Sequence, residues 1–171
     1  IELKKKNLEV HVATPNLKEN HLVKKTLNDM DIFVHEIHLD RTGMNPLLDI
    51  KTIYQFWNLM RHIKPDYFLG YTHKPVIYGN LAAWFCGVPK RYALITGLGY
   101  TFQSNILWLN YILKKLYKIT LRHAAKVIFQ NPDDEKYFYK FGIINKTDQK
   151  SIVVNGSGVD LKKFEVKHLP D

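Results

Sequence analysis

The sequence predicts an α/β fold, a doubly wound parallel sheet carried by one domain. Three observations predict it. Six short β-type runs alternate with helix-length amphipathic stretches along 171 residues, the pattern of strands joined by helical crossovers. One run, Tyr67-Phe68-Leu69-Gly70-Tyr71, is wholly apolar, as expected of a strand covered on both faces. Hydrophobic content is 46% and charged content 24%, which supplies a core for one domain of ordinary size.

Each element follows from local signals. Ile1 to Lys6 reads as the last turn of a helix, with Leu3 inward, the lysines suiting a helix C-terminus and Asn7 in the left-handed closing position. Glu9 to Thr14 is a strand stopped by Pro15. Residues 18–29 are a helix with Leu22, Leu27 and Met30 toward the core, and Ile32 to Leu39 is the second strand. Residues 40–48 read as a loop, and Asp49 as the cap of a helix with Ile50, Ile53, Tyr54, Trp57 and Met60 at helical spacing. Lys64-Pro65 stops that helix before the third strand at Tyr67.

A helix over residues 75–86 closes at Gly87. Arg91 to Ile95 is a strand, Thr96 to Gln103 a glycine-bearing loop, and residues 105–124 a long helix. Lys126 to Gln130 is a strand, Asn131-Pro132 opens a helix that closes at Gly142, and Ser151 to Val154 is the last strand. Residues 1–158 are expected to form the domain, and 159–171 the start of a linker.

The net charge is +9, and its distribution carries the information. Between Asp66 and Asp133 there is no acid, yet Lys74, Lys90, Arg91, Lys114, Lys115, Lys118, Arg122 and Lys126 all lie there. A solubilising surface mixes both signs. This segment predicts an anionic partner such as a phosphate, a diphosphate, a nucleic acid or an acidic membrane, with the cations gathered at one rim of the fold.

In open α/β sheets, ligands bind beyond the carboxyl ends of the strands. The loops so placed are Thr14-Pro15-Asn16, Thr72-His73-Lys74-Pro75, Thr96-Gly97-Leu98-Gly99-Tyr100, Asn131-Pro132 and Asn155-Gly156-Ser157-Gly158. Glycine and capping residues there let backbone N–H groups approach a phosphate. His73 sets an imidazole beside a cation at a helix start. The dinucleotide fingerprint fails, since Gly97-Leu98-Gly99-Tyr100-Thr101-Phe102 lacks a third glycine, and no P-loop is present. His35 and His38 point to opposite sides of a strand and read as non-ligands. The single cysteine, Cys86, excludes a disulfide framework and a Cys-based zinc site; it reads as a core residue, like Trp57 and Trp84.

The 105–124 helix has more apolar residues than one core-facing stripe needs, interleaved with Lys114, Lys115, Lys118 and Arg122. Two readings stand: a buried helix with a basic rim, or a helix that also docks to an anionic membrane. The uncharged run from Tyr92 to Leu113 is long enough to span a bilayer, but Gly97, Gly99, Gln103, Ser104, Asn105 and Asn110 interrupt it.

At these loops the sequence resembles family 4 glycosyltransferases, specifically the N-terminal domain of bacterial enzymes that extend undecaprenyl-diphosphate-linked sugars. The carrying stretches are Tyr71-Thr72-His73-Lys74-Pro75 with Tyr78-Gly79, Ile95 to Phe102, and Val154-Asn155-Gly156-Ser157-Gly158-Val159-Asp160 with Phe164. Leu8 to Pro15 is similar to that family's second strand. The resemblance implies one Rossmann-like lobe of a GT-B fold, the acceptor side, without the family's first strand and its glycine-bearing loop. The C-terminal donor lobe is absent from the sequence, so the chain by itself is expected to be inactive.

It further implies a retaining, metal-independent transfer with no cofactor, in which a nucleotide-sugar, UDP-linked, is the co-substrate. The acceptor would be a lipid-diphosphate-linked saccharide of surface polysaccharide assembly, such as lipopolysaccharide or capsule. His73 matches the family's active-site histidine, whereas Lys74 departs from the glutamate that follows it in many members. Thr72, Lys74, Thr96, Gly97, Gly99, Tyr100, Asn131, Asn155, Gly156 and Ser157 are the expected substrate-binding residues. The expected partners are the lipid-linked acceptor, an anionic membrane and the missing lobe, and the expected location is cytoplasmic, peripheral at the inner face of the cell membrane. Two other readings are a non-catalytic membrane-docking or partner-recruiting subunit of a two-chain enzyme and, from charge alone, a nucleic-acid-binding domain, which no motif supports.

Overall fold

The computed structural model describes residues 2–40, 45–98, 107–156 and 158. The elements are α1 (Glu2–Lys5), β1 (His11–Thr14), α2 (His21–Asn28), β2 (Phe33–Glu36), α3 (Pro46–Ile63) and β3 (Tyr67–Tyr71). A π-helical turn, Pro75–Gly79, leads into α4 (Asn80–Phe85). Then follow β4 (Lys90–Ile95), α5 (Leu107–Arg122), β5 (Lys126–Phe129), α6 (Pro132–Lys140), a 3-10 turn at Lys146–Asp148, and β6 (Ser151–Val153).

All six strands pair in parallel, but in two groups rather than one sheet. β1 pairs with β2, and β3-β4-β5-β6 form a four-stranded sheet in chain order. No backbone hydrogen bond joins the groups among the described residues. They share a helical layer nonetheless. Ala13 of β1, Phe68 of β3 and Ile37 beyond β2 pack on one cluster with Phe56 and Met60 of α3 and Ala82 and Ala83 of α4. A second cluster joins Ala93, Ile95, Val127 and Phe129 of β4 and β5 to Tyr117 and Leu121 of α5 and Phe138 of α6.

The opposite face of the larger sheet carries Leu69, Tyr92, Leu94, Ile128 and Ile152, matched across the strands by register. There the expectation for β3 is corrected: Tyr67, Leu69 and Tyr71 are about half exposed (51%, 53% and 49%). β3 is an edge strand of the described sheet, and no described helix covers that side, so its apolar run does not report burial on both faces.

Several other sequence readings are corrected. Asn45, not Asp49, caps α3: its side chain accepts from the Leu47 N–H, with Pro46 at the first helical position. Helix α3 therefore begins inside the expected loop and is rotated relative to the predicted face. Thr52, Phe56 and Met60 are buried, whereas Ile50 and Tyr54 are exposed. Leu3, Leu22, Met30 and Trp84 also point outward; Trp84 stacks on His123 at 4.6 Å instead of entering the core.

The stops behave as read. Asn7, Lys64, Gly87 and Gly142 all have positive φ, and Asn131 caps α6 by accepting from the Asp133 N–H at 2.8 Å. Gly70 has a different reason to be glycine. A Cβ there would lie 2.8 Å from Pro75 O and 2.8 Å from Val76 Cα, so its absence lets the π-turn sit directly on β3.

Candidate functional site

The register places the loops after β3, β4, β5 and β6 at one rim of the larger sheet. Tyr71 pairs with Leu94, Ile95 with Phe129, and Phe129 with Val153. The carboxyl ends of β3, β4, β5 and β6 are thus level, and Thr72, Thr96, Asn131 and Asn155 follow them in a row. At about 4.8 Å per strand the row spans about 14 Å. Gly99, Tyr100 and Ser157 lie outside the described residues.

The strongest geometric signal is at the end of β3. Thr72 has φ 71°, a left-handed conformation that a β-branched residue avoids. Such an outlier costs about 1–3 kcal/mol and concentrates at functional sites. It is held from both sides: the Thr72 N–H donates to Leu94 O at 3.3 Å, and its carbonyl accepts from the Val76 N–H at 3.0 Å. The strained residue turns the chain so that His73 and Lys74 stand at the rim before the π-turn. A single π-helical turn is itself a feature often found beside functional residues.

His73 lies against the helical layer. Its Nδ1 is 2.6 Å from the Tyr117 hydroxyl, and the two rings meet edge to face. Tyr117 is fully buried. Burial pushes the Tyr117 phenol pKa up, reinforced by Tyr78, and pushes the His73 imidazole down from its ordinary 6.5. The buried ring therefore disfavours its cationic form.

Lys74 is engaged too. Its Nζ donates to Asp49 Oδ1 at 2.7 Å, in a pair whose side chains are only 16% and 18% exposed. Tyr78, on the π-turn, also bonds Asp49; burial first, then that bond and the Asp49 charge, push its phenol up. Asp49 thus ties the first turn of α3 to the Thr72–Tyr78 segment.

The remaining residues contribute backbone. Gly97 has φ 149°, with nothing within 4 Å of the Cβ it lacks, so conformation rather than space requires glycine there. Gly156 turns back to donate to Val154 O at 2.9 Å. The Asn131 side chain is occupied as a cap, and Asp133, Asp134 and Glu135 already supply negative charge to the first turn of α6. A hollow of about 600 Å³ lies at the same rim of the smaller sheet, lined by Thr14, Asn16, Asn20 and Asp40 among others. A larger one, about 800 Å³, opens at the amino end of β2 between Lys4, Lys24 and Asp31, away from His73.

The cationic segment does not gather at one rim, contrary to expectation. Lys90 and Arg91 begin β4 and Lys126 begins β5, placing them at the amino ends of the strands. There Arg91 donates to Val88 O and His123 O, and Lys126 to Gln149 O. The reason is topological: a positive run that covers a strand and the following helix must reach both ends of a parallel sheet.

Helix α5 resolves its surplus of apolar residues by having two faces. Tyr117, Thr120 and Leu121 are buried, while Trp108, Tyr111, Ile112 and Ile119 are exposed with Lys115, Lys118 and Arg122 among them. At 100° per residue these seven fall within about 120° of one another. Lys115 Nζ sits 4.7 Å from the Tyr111 ring. No described helix is long and apolar enough to cross a membrane.

Sequence reasoning passed over Asp49 and Tyr117 as site residues. Asn45-Pro46 carries the same opening signal as Asn131-Pro132, and reading it would have freed Asp49 for another role. Tyr117 was legible only as one apolar position in a stripe. The His11–His35 contact, Nδ1 to Nε2 at 2.9 Å, arises from strand pairing that no local pattern announces.

Comparison with known proteins completes the picture. A superposition covering 95% of this chain and 40% of the other relates it to the crystal structure of Acinetobacter baumannii MurG, at TM-score 0.58 and 17% identity; the shared fold is one Rossmann-like lobe of a GT-B architecture. The N,N'-diacetylbacillosaminyl-diphospho-undecaprenol alpha-1,3-N-acetylgalactosaminyltransferase of Campylobacter jejuni is 27% identical over 167 residues, 95% of this chain and 42% of that protein. The chain therefore spans less than half the length of either. The family model described as glycosyl transferase 4-like matches residues 1–131, from α1 through the Asn131 cap, and by that match the chain belongs to the glycosyl transferase 4-like family.

Proposed function

We propose that this chain is the acceptor-binding lobe of a retaining glycosyltransferase, which moves a sugar from a UDP-linked donor to a lipid-diphosphate-linked saccharide in surface glycan assembly. The observation that carries the reading is the strained Thr72, which sets His73 at the carboxyl rim, where α/β sheets bind ligands. The Campylobacter relative, whose name describes a diphospho-undecaprenol-linked saccharide, supports the acceptor class.

In this reading His73 hydrogen-bonds the transferred sugar or the leaving phosphate. Oriented donors at the position where charge develops stabilise the transition state. The Lys74 charge is held by Asp49, so its part is to fix the segment and add positive potential beside the diphosphate. Gly97 and Gly156 bring backbone close to the acceptor. In this reading the donor is bound by a second lobe.

The outer face of α5 favours a peripheral position at the inner face of the cell membrane. Exposed Trp108, Tyr111, Ile112 and Ile119 suit the interface, and Lys115, Lys118 and Arg122 suit anionic headgroups. The same face would serve a non-catalytic docking subunit, but that reading has no use for a strained residue before His73.

The test is equilibrium binding of a farnesyl-diphosphate-linked disaccharide, with the uncharged farnesyl glycoside as control. The diphosphate compound binds and the control binds weakly. In a polypeptide that carries both lobes, His73→Ala lowers kcat at least about tenfold, since a hydrogen bond to a charged group contributes about 1.5–3 kcal/mol. Equal binding of the two compounds, or an unchanged kcat in His73→Ala, rejects the proposal.

A further inference from the structure

We infer that Tyr117 is a positioning residue for His73: its hydroxyl donates to Nδ1 and holds the ring as the Nε2–H tautomer. The inference rests on the reading of His73 as a ligand-contacting group, and it adds a residue from another element to that site. Tyr117 is 44 positions away in sequence, on α5.

The argument starts from hydrogen-bond inventory. A phenol can donate once, and a neutral imidazole has one donor and one acceptor nitrogen. The tautomer is set by the partner of either nitrogen. Here Nδ1 faces the Tyr117 oxygen at 2.6 Å, a length in the range of a strong bond. Tyr117 is 0% exposed and fixed by packing: Phe138 meets it edge-on at 5.3 Å, Phe129 backs Phe138 at 5.1 Å, and His73 meets it edge-on at 6.2 Å. Its oxygen therefore cannot swing away.

With both groups neutral, a phenol O–H is a stronger donor than an imidazole N–H and an imidazole nitrogen a stronger acceptor than a phenol oxygen, so the 2.6 Å contact runs from O–H to Nδ1. The ring proton then sits on Nε2, the nitrogen that Tyr117 does not touch. A His73 so fixed offers a donor to an oxygen of the acceptor or leaving group and cannot act there as a base without first losing that proton. Asp49, Lys74 and Tyr78 fix the backbone on which the ring stands, so the ring and its backbone are held from separate elements, α5 and α3.

The test reads the tautomer directly. Long-range ¹H–¹⁵N spectra of the 171-residue protein are recorded at pH 7.5, with the His73 signals assigned by their loss in His73→Ala. The expected result is a protonated-type Nε2 and an unprotonated-type Nδ1, with Tyr117→Phe moving both toward values averaged between tautomers. A protonated Nδ1 in the unsubstituted protein overturns the inference without any variant having to fold. Unchanged nitrogen shifts in a folded Tyr117→Phe protein overturn it as well.

In a polypeptide that carries both lobes, Tyr117→Phe lowers kcat with little change in KM. Loss of the tautomer preference in Tyr117→Phe combined with an unaltered kcat in His73→Ala would keep the positioning role and sink the functional reading. The converse pair would do the opposite, so the two failures are distinguishable.

Discussion

Replacing Asp49 with Asn leaves the shape of the side chain and removes its charge, which isolates the Asp49–Lys74 pair. A fully exposed pair contributes about 0–1 kcal/mol, whereas removing one partner of a buried pair costs about 3–5 kcal/mol, because the other charge is left in a poor solvent. With side chains 16% and 18% exposed and 2.7 Å between the charged atoms, the pair lies nearer the buried limit, and about 2–3 kcal/mol is expected. For a domain of this size, about 2–4 °C accompanies each kcal/mol, so Tm falls by about 4–12 °C. The Asn oxygen can still accept from Tyr78, which keeps that bond out of the comparison. Urea unfolding of Asp49→Asn, Lys74→Met and the double variant gives the coupling. Because Lys74→Met removes the stranded cation, the double variant is more stable than Asp49→Asn alone. Effects that add to within about 0.5 kcal/mol would mean the residues do not interact, and the account of how α3 anchors the His73 segment would fail.

Three further outcomes are expected. Gly70→Ala costs about 1–3 kcal/mol in chemical denaturation, because its Cβ meets backbone at 2.8 Å on two atoms; a neutral result would deny the close seating of the π-turn on β3. Thr72→Gly relieves the φ of 71° and stabilises the fold by up to about 1 kcal/mol, yet lowers kcat of a polypeptide that carries both lobes by loosening His73; an equal or higher kcat would mean that the strain has no positioning role. Ile112→Ser and Ile119→Ser each lower partitioning onto phosphatidylglycerol vesicles about tenfold or more in sedimentation, matching removal of about 1.5–3 kcal/mol of buried side chain, with circular dichroism unchanged.

Stability should also depend on pH with a definite sign. His35 and His73 are both pushed below 6.5, each first by burial, with His11 adding its charge at His35. The unfolded chain therefore takes up more protons than the native one as pH falls below 6.5, so native stability rises with pH there. The contribution is complete above about 6.5 and is lost as pH falls through the lowered native values. His35→Phe reduces the slope of urea midpoint against pH just below 6.5; an unaltered slope would show that His35 has no part in it.

The fold was legible because its signals are local. Pro15, Lys64-Pro65, Gly87, Asn131-Pro132 and Gly142 mark ends, and Val127 and Phe129 alternate with outward residues in β5. Faces were less legible: Ile50, Tyr54 and Leu22 occupy apolar helical positions yet point outward, since spacing gives a stripe without saying which neighbour it meets. The separation of β1–β2 from the larger sheet was not legible, because pairing depends on what stands beside each edge.

For the site, the row of loops followed from strand order and the carboxyl-end rule, and His73 followed from that row. The supports of His73 did not. Tyr117 and Asp49 reach it from α5 and α3, through contacts 44 and 25 residues apart in sequence, and neither carries a motif. The same limit misled the reading of charge, since a run of lysines along the chain says nothing of the rim on which each one emerges.

The most direct measurement is a residue-resolved map of the contact made by a farnesyl-diphosphate-linked disaccharide, by amide chemical-shift perturbation on the 171-residue protein. The account predicts the largest shifts at Thr72, His73, Thr96, Gly97, Asn155 and Gly156, all beyond strand carboxyl ends. Shifts concentrated instead at Lys90, Arg91, Arg122 and Lys126, on the opposite rim, would contradict it.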